Sequence, residues 1–323
     1  MPLLLTDAEC SRLVGMADAV AAVKDAYEGL ATGRSVLADR MIVRMPTGWM
    51  RVLPGALPGR DVFGYKEFHL VGGAVRHTTF LYGATDGRLR AVLDSGHLTG
   101  LRTGATAALA ADLLAPERVE TVAVIGSGKE AAAQLAALLV VRRPEAVRVF
   151  SPNPARRADF ADRMTRELGV GVRAVGSLPA ACAGSQVVLV ATRSHGTPVL
   201  RAADVPPGAH VSSIGSTLPE QRELASDVFA AAARILVDTP QQLTEAGDLL
   251  AARADGAITG DRVTELGAQA AAPVPVRAPG EITVFSSLGT GLQDVALAEV
   301  ACRKAEAVHG GRALPDLAAA RVL

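Results

Sequence analysis

Residues 126–131 read Gly126-Ser127-Gly128-Lys129-Glu130-Ala131 and follow directly on the apolar run Val122-Ala-Val-Ile125. A strand that ends in Gly-x-Gly-x-x-Ala and opens an Ala/Leu-rich helix is the arrangement that cradles the pyrophosphate of a dinucleotide. Gly126 permits the tight turn, Gly128 lets the backbone approach the phosphates without a Cβ, and Ala131 is small enough for close helix–strand packing. Ser127, Lys129 and Glu130 sit at the helix N-terminus, where unpaired N–H groups and the positive dipole end favour an anion. On its own the motif is weak, and its strand–turn–helix context is what makes it informative. The next apolar run, Val147-Arg-Val-Phe-Ser151, ends where an NAD-preferring site usually carries Asp or Glu for the ribose hydroxyls. Here Pro152, Asn153 and Pro154 follow, and Arg156 and Arg157 open the next helix. With no acid to repel a 2′-phosphate, the pattern favours NADP(H) over NAD(H). If the two arginines are a solvated helix face, the preference stays open. Two further cations carry chemical interest: Lys66, in Gly64-Tyr65-Lys66, and Arg102, in Arg102-Thr103-Gly104-Ala105. Composition alone favours a solvated surface charge for each.

Positioning these residues requires a sheet with helices on it. From Thr121 onward, strand patterns (Thr121–Ile125, Val147–Ser151, Val172–Val175, Val187–Ala191, His210–Ile214, Ile235–Asp238) alternate with helical ones such as Pro154–Leu168. That rhythm predicts an α/β fold built on a doubly wound parallel sheet. Before it, the runs MIVRM, WMRVL, HTTFLY and LRAVL between Asp39 and Leu93 predict antiparallel strands, with a hairpin turn at Thr85-Asp86-Gly87. Helices are expected near Met16–Ala31, at Thr99–Leu114 ahead of Pro116, and from about Thr290 to Val308. Thr6 and Glu9 have the spacing of a capping box. The Ala/Pro/Gly-rich stretch Gly267–Gly280 reads as a loop.

Composition narrows the functional classes. The 323 residues suggest two domains, and 49% hydrophobic with 20% charged residues is the balance of a globular chain. A formal net charge of zero gives no reason to expect nucleic acid or an anionic membrane as partner. Cys10, Cys182 and Cys302 have no metal-ligand spacing and read as reduced, mostly buried thiols, so no metal is expected. The N-terminus lacks a basic n-region and soon meets Asp7 and Glu9, which argues against a signal peptide and makes the cytoplasm the expected location.

Over nearly its full length the chain resembles the ornithine cyclodeaminase/mu-crystallin family. The matching pieces occur in order: Arg40 in ADRMIVRMP, Lys66 in GYKEF, LTGLRTGATAALAADLLAPE (Leu98–Glu117), VAVIGSGKEA, ATRSHGTPVL (Ala191–Leu200), HVSSIGSTLPEQREL (His210–Leu224) and EITVFSSLGTGLQD (Glu281–Asp294). The resemblance implies a homodimer. It also implies an α+β substrate-binding and dimerisation domain from residues 1–115 and 291–323, beside a Rossmann domain at 116–290. It places the substrate's carboxylate and amine on Arg40, Lys66 and Arg102. Arginine suits a carboxylate because its fork binds both oxygens, and a lysine in a closed pocket can exchange a proton with the substrate nitrogen. Cofactor contacts would fall on Thr103, Gly126, Gly128, the Ser151–Asn153 turn, Thr192, Arg193, Ser194, Gly215 and Ser287, with Arg156 added from the strand-end pattern.

One departure is informative. The cyclodeaminases and an archaeal alanine dehydrogenase of this family carry an aspartate where this chain has Thr217, two residues after Gly215. A threonine hydroxyl orients by hydrogen bonding but has no accessible pKa for full proton transfer near pH 7. Mu-crystallin-like ketimine reductases also lack the aspartate. The leading expectation is therefore an NAD(P)H-dependent imine reductase or amino-acid dehydrogenase, with Lys66, Arg102 and Thr217 in the catalytic set and a small imino or amino acid as substrate. The alternatives are an ammonia-eliminating cyclodeaminase and a cofactor-dependent binding protein; retention of Arg40, Lys66 and Arg102 together speaks against the second. His69 and His97 read as structural and His195 as equally structural or near the nicotinamide, while Glu220, Arg222 and Glu223 are expected to cap and decorate a helix after the fifth strand.

Overall fold

A computed structural model describes residues 1–259 and 262–315. It divides into two compact units: Met1–Arg102 with Gly289–Leu323, and Thr103–Leu288. The expected segment 291–323 therefore extends, at 316–323, outside the described residues, as do residues 260–261 of the expected Rossmann segment. The break inside the long helix Gly96–Leu114 falls at Arg102/Thr103 rather than at 115/116. The reason is packing. Ala111 and Ala115 join the core of the second unit with Val122, Val124 and Leu135, and a Cβ on Gly104 would collide with the Ala133 carbonyl.

The first unit is built on a mixed sheet. Its strands are β1 (Leu3–Leu5), β2 (Val36–Leu37), β3 (Met41–Met45), β4 (Gly48–Leu57), β5 (Val62–Val71), β6 (Ala74–Gly83) and β7 (Leu89–Asp94). The order runs Arg312–Ala313, β1, β7, β6, β5, β4, β2, with β3 also paired to β4. All neighbours are antiparallel except β1 and β7. The hairpin expected at Thr85–Gly87 joins β6 to β7, with Gly87 at φ 65° in the left-handed region. Thr6 and Glu9 close the capping box of helix Asp7–Leu13. Helix Met16–Glu28 buries Val23, Ala26 and Tyr27, and helix Gly291–Ala307 packs against β4 and β5.

The second unit carries β8 (Thr121–Ile125), β9 (Ala146–Phe150), β10 (Val172–Ala174), β11 (Val187–Val190), β12 (His210–Ser213), β13 (Ala232–Val237), β14 (Val263–Glu265) and β15 (Ile282–Ser286). These form a wholly parallel sheet in the order β10-β9-β8-β11-β12-β15-β13-β14. The central strands β8 and β11 are apolar, buried runs, as expected of parallel strands covered on both faces. Strand order reverses between β8 and β11, the switch point where such sheets bind ligands at the strands' C-terminal ends. The stretch expected to be a loop from Gly267 starts instead as helix, Leu266–Ala270, because Leu266 is fully buried and anchors it. Among the described residues no helix is long and apolar enough to cross a membrane.

Candidate active site

The Gly-x-Gly-x-x-Ala loop lies at the switch point. Gly126 has φ 120°, and a Cβ there would strike the carbonyl of Ala191, just past β11. Only glycine lets the loops after β8 and β11 approach this closely. A Cβ on Gly128 would meet nothing within 4 Å, so open space lies before helix Lys129–Val141, whose N-terminus carries no side-chain cap. Uncapped amides facing open space fit a phosphate. Ala131 is fully buried, as close packing of this helix demands, and Gln134 anchors it by donating to the Val190 carbonyl at 3.2 Å. Ser127 Oγ donates to Ser151 Oγ at 2.9 Å and so ties the loop to the end of β9. Lys129 and Glu130 are exposed.

The turn after β9 contains no carboxylate. Asn153 caps helix Pro154–Leu168 by accepting from the Arg156 amide, and the Arg156 side chain is exposed in the first turn. Arg157 donates to the Ser151 carbonyl at 2.9 Å, its guanidinium 5.6 Å from the centre of the Phe150 ring. These residues hold positive charge where an adenosine ribose would lie.

On the other side of the switch point, the loop after β11 carries Thr192, Arg193, Ser194 and His195. Arg193 and His195 are exposed, and His195 bridges to Gln221. The loop after β12 carries Gly215 and Thr217; the Thr217 hydroxyl donates to Gln221 Oε1 at 3.0 Å. Ser287, past β15, donates its hydroxyl to Asp238 at 2.8 Å. Residues 215–224 do not build the expected decorated helix, because the next helix starts at Ser226. Glu220 is exposed, and Arg222 reaches within 3.5 Å of Asp248. Glu223 is fully buried, with its carboxylate at the centre of a hydrogen-bond cluster. Burial and the neighbouring Glu223 push the Asp248 carboxyl up to about 7.

The first unit holds the cations. The registers of β4, β5 and β6 put Arg51, Leu53, Lys66, Phe68, His77 and Thr79 on one sheet face. Lys66 is fully buried, and its ammonium lies 2.8 Å from Asp294 Oδ1 and 5.0 Å from the centre of the Phe68 ring. Arg102 Nε donates to the same oxygen at 3.1 Å, and its Nη1 donates to Gln293 at 2.8 Å. Asp294, in the first turn of helix Gly291–Ala307, is therefore the shared counter-charge that joins two predicted site residues. Its Oδ2 is buried without a hydrogen-bond partner among the described residues. Arg40, between β2 and β3, is 7% exposed. Burial, then the charge of Lys66, pushes His77 down to about 4, so its imidazole is neutral near pH 7.

Sequence reasoning missed Arg51, His77, Asp294 and Glu223. Register alone would have placed Arg51 and His77 beside Lys66 once β5 was recognised as a strand. His69 points to the opposite face and bonds Glu67 at 2.6 Å, and the His97 ring is part-buried, with Nε2 unpartnered among the described residues. Burial pushes all three cysteine thiols up to about 12, which makes them inert packing groups.

Residues 2–308 match the profile of the Ornithine cyclodeaminase/mu-crystallin family. The chain belongs to this family. Among family members, the iminosuccinate reductase of Paracoccus denitrificans is 34% identical, over 75% of each chain. Delta(1)-pyrroline-2-carboxylate reductase of Thermococcus litoralis, solved with NADH and L-proline, superposes with a TM-score of 0.90 at 27% identity, covering 97% of this chain and 100% of that one. An archaeal alanine dehydrogenase dimer with bound NAD superposes with a TM-score of 0.89 at 28% identity, covering 96% and 98%.

Proposed function

We propose that this chain is an NAD(P)-dependent oxidoreductase of CH–NH and CH–NH2 groups, acting as an imine reductase or amino-acid dehydrogenase on a small imino or amino acid. The observation that carries this reading is the buried pair of cations, Lys66 and Arg102, on one Asp294 oxygen. Burying two cations is costly and persists where they have work to do on an anion. Arg40 and Arg102 bind the substrate carboxylate. The Lys66 ammonium, stabilised by Asp294, lies at the substrate nitrogen and supplies the proton that an imine needs. His77, neutral and half-buried, adds no competing charge. A nicotinamide held in this site would supply the hydride to Cα, or accept it in the reverse direction.

Gly126, Ser127, Gly128 and the first amides of helix Lys129–Val141 would hold the pyrophosphate. Thr103, Thr192, Arg193, Ser194, Gly215 and Ser287 complete the cofactor set. NADP(H) is favoured over NAD(H): the turn at Ser151–Asn153 lacks an acid, and Arg156 and Arg157 stand beside it. Thr217, with its hydroxyl given to Gln221, orients rather than transfers protons. The enzyme is a homodimer formed through the second face of the first unit's sheet, where Phe63 stacks on Tyr82 and Tyr65 on Phe80 at 5.3 and 5.1 Å. Phe63, Met41 and Val43 are 39%, 60% and 49% exposed there, an apolar area that a second copy would cover.

The test is to follow NADPH and NADH absorbance with preformed cyclic imines and with 2-oxo acids plus amines, alongside Lys66→Ala and Arg102→Ala. Turnover by the wild type and its loss in both variants is expected. Unchanged turnover in the variants would remove these residues from the mechanism.

A further inference from the structure

Glu223 binds at four points. Its Oε1 accepts from the Thr192 amide and, at 2.9 Å, from the Thr192 hydroxyl. Its Oε2 accepts from Ser213 Oγ and the Gly215 amide, both at 2.7 Å. Its main-chain carbonyl accepts from the amides of Val199 and Leu200. Its own amide and that of Leu224 donate to the two Asp248 oxygens at 2.8 and 3.1 Å. One fully buried carboxylate thus joins the residue that leaves β11 to the residues that end β12. The approach is so close that a Cβ on Gly215 would overlap it.

The position of this clamp is specific. The glycine loop after β8 takes the pyrophosphate, and the end of β9 takes the adenosine ribose. A dinucleotide crossing the switch point therefore extends its nicotinamide towards the ends of β11 and β12. We propose that Glu223 is a positioning residue for the nicotinamide: it fixes Thr192 and Gly215 as one rigid rim against which the ring is aligned for hydride transfer. This rests on the dinucleotide-dependent function proposed above. Its effect on rate comes through alignment, since hydride transfer is sensitive to small displacements of the donor.

A glutamine at this position can accept through only one atom, so its amide must turn N–H groups towards either the Thr192 or the Gly215 N–H. One loop is released while side-chain volume is kept. The experiment compares wild type, Glu223→Gln, Thr192→Val (which deletes one donor) and Ile235→Val, a core truncation in the middle of β13 that serves as the stability control. Measured are Tm, the Kd of NADPH and NADH by fluorescence, kcat and KM with an imine, and the primary isotope effect with cofactor deuterated at C4. For Glu223→Gln we expect kcat to fall about 10- to 100-fold, the loss of one buried charge-assisted bond, with the isotope effect rising because hydride transfer has become slower. Thr192→Val should move both in the same direction by less, and Ile235→Val should lower Tm alone. If Glu223→Gln only lowers Tm, with kcat and isotope effect as in Ile235→Val, Glu223 is a structural staple and the proposal fails. Should Glu223→Gln not fold, Thr192→Val decides by the same criterion. A wild type that oxidises neither cofactor with any imine overturns the function instead. The clamp is then judged on cofactor Kd, where equal values for wild type and Thr192→Val reject it.

Discussion

Replacing Asp294 by asparagine tests whether the cation cluster is built around one carboxylate. Asp294 is 4% exposed, Lys66 fully buried and Arg102 7% exposed, so the pair is shielded from water. Asparagine keeps the shape and can still accept through one oxygen, but it removes the charge that offsets two buried cations. Removing one partner of a buried pair costs about 3–5 kcal/mol, because the remaining charge is left uncompensated. At roughly 3 °C per kcal/mol for a chain of this size, that is a fall in Tm of about 10 °C. The same change leaves Lys66 and Arg102 without a common anchor, so kcat/KM for the imine should fall by about 100-fold or more at a temperature where the variant is folded. Thermal unfolding followed by circular dichroism, with steady-state kinetics on the folded variant, reads both. A variant that melts within 2–3 °C of wild type and keeps its kcat/KM would refute the reasoning, since the charge on Asp294 would then be dispensable.

Other outcomes follow from particular residues. Gly126→Ala, at φ 120° and against the Ala191 carbonyl, should cost about 2 kcal/mol or more and abolish measurable cofactor binding by fluorescence titration. Arg156→Ala combined with Arg157→Ala should lower kcat/KM for NADPH about tenfold relative to NADH, and an unchanged ratio would count against the NADP preference. Asp248 titrates near 7 when folded and near 3.8 when unfolded, so between those values the folded state holds the extra proton. Stability should therefore decline as pH rises from about 4 to 7, and urea melts of Asp248→Asn should show a flatter dependence across that window. Tyr65→Lys on the aromatic sheet face should shift sedimentation from dimer to monomer.

The second unit was the more legible in sequence because its signals are local. A parallel strand buried on both faces is a continuous apolar run, and the glycine motif marks the turn after β8. β14 and β15 escaped notice because one is three residues long and the other lies among prolines and glycines. In the first unit, β5 carries Gly64 and Lys66 within VFGYKEFHLV, so it does not read as apolar alternation, although its register aligns the cation face. Asp294 and Glu223 were invisible for a different reason. Each is a carboxylate in the company expected of a solvated helix surface, and each becomes central only when partners distant in sequence converge on it. Lys66 is 228 residues from Asp294, and Thr192 is 31 from Glu223. Lys66, Arg40 and Arg102 are proposed as site residues on family resemblance, not on any local pattern.

The most direct test of the reductase function is redox stoichiometry. NAD(P)H consumption and amine product would be measured together with a cyclic imine substrate, with ammonia measured in parallel on basic amino acids and NAD⁺. One cofactor oxidised per amine formed is the expected result; ammonia released with no net change in cofactor would contradict it and make the chain a cyclodeaminase.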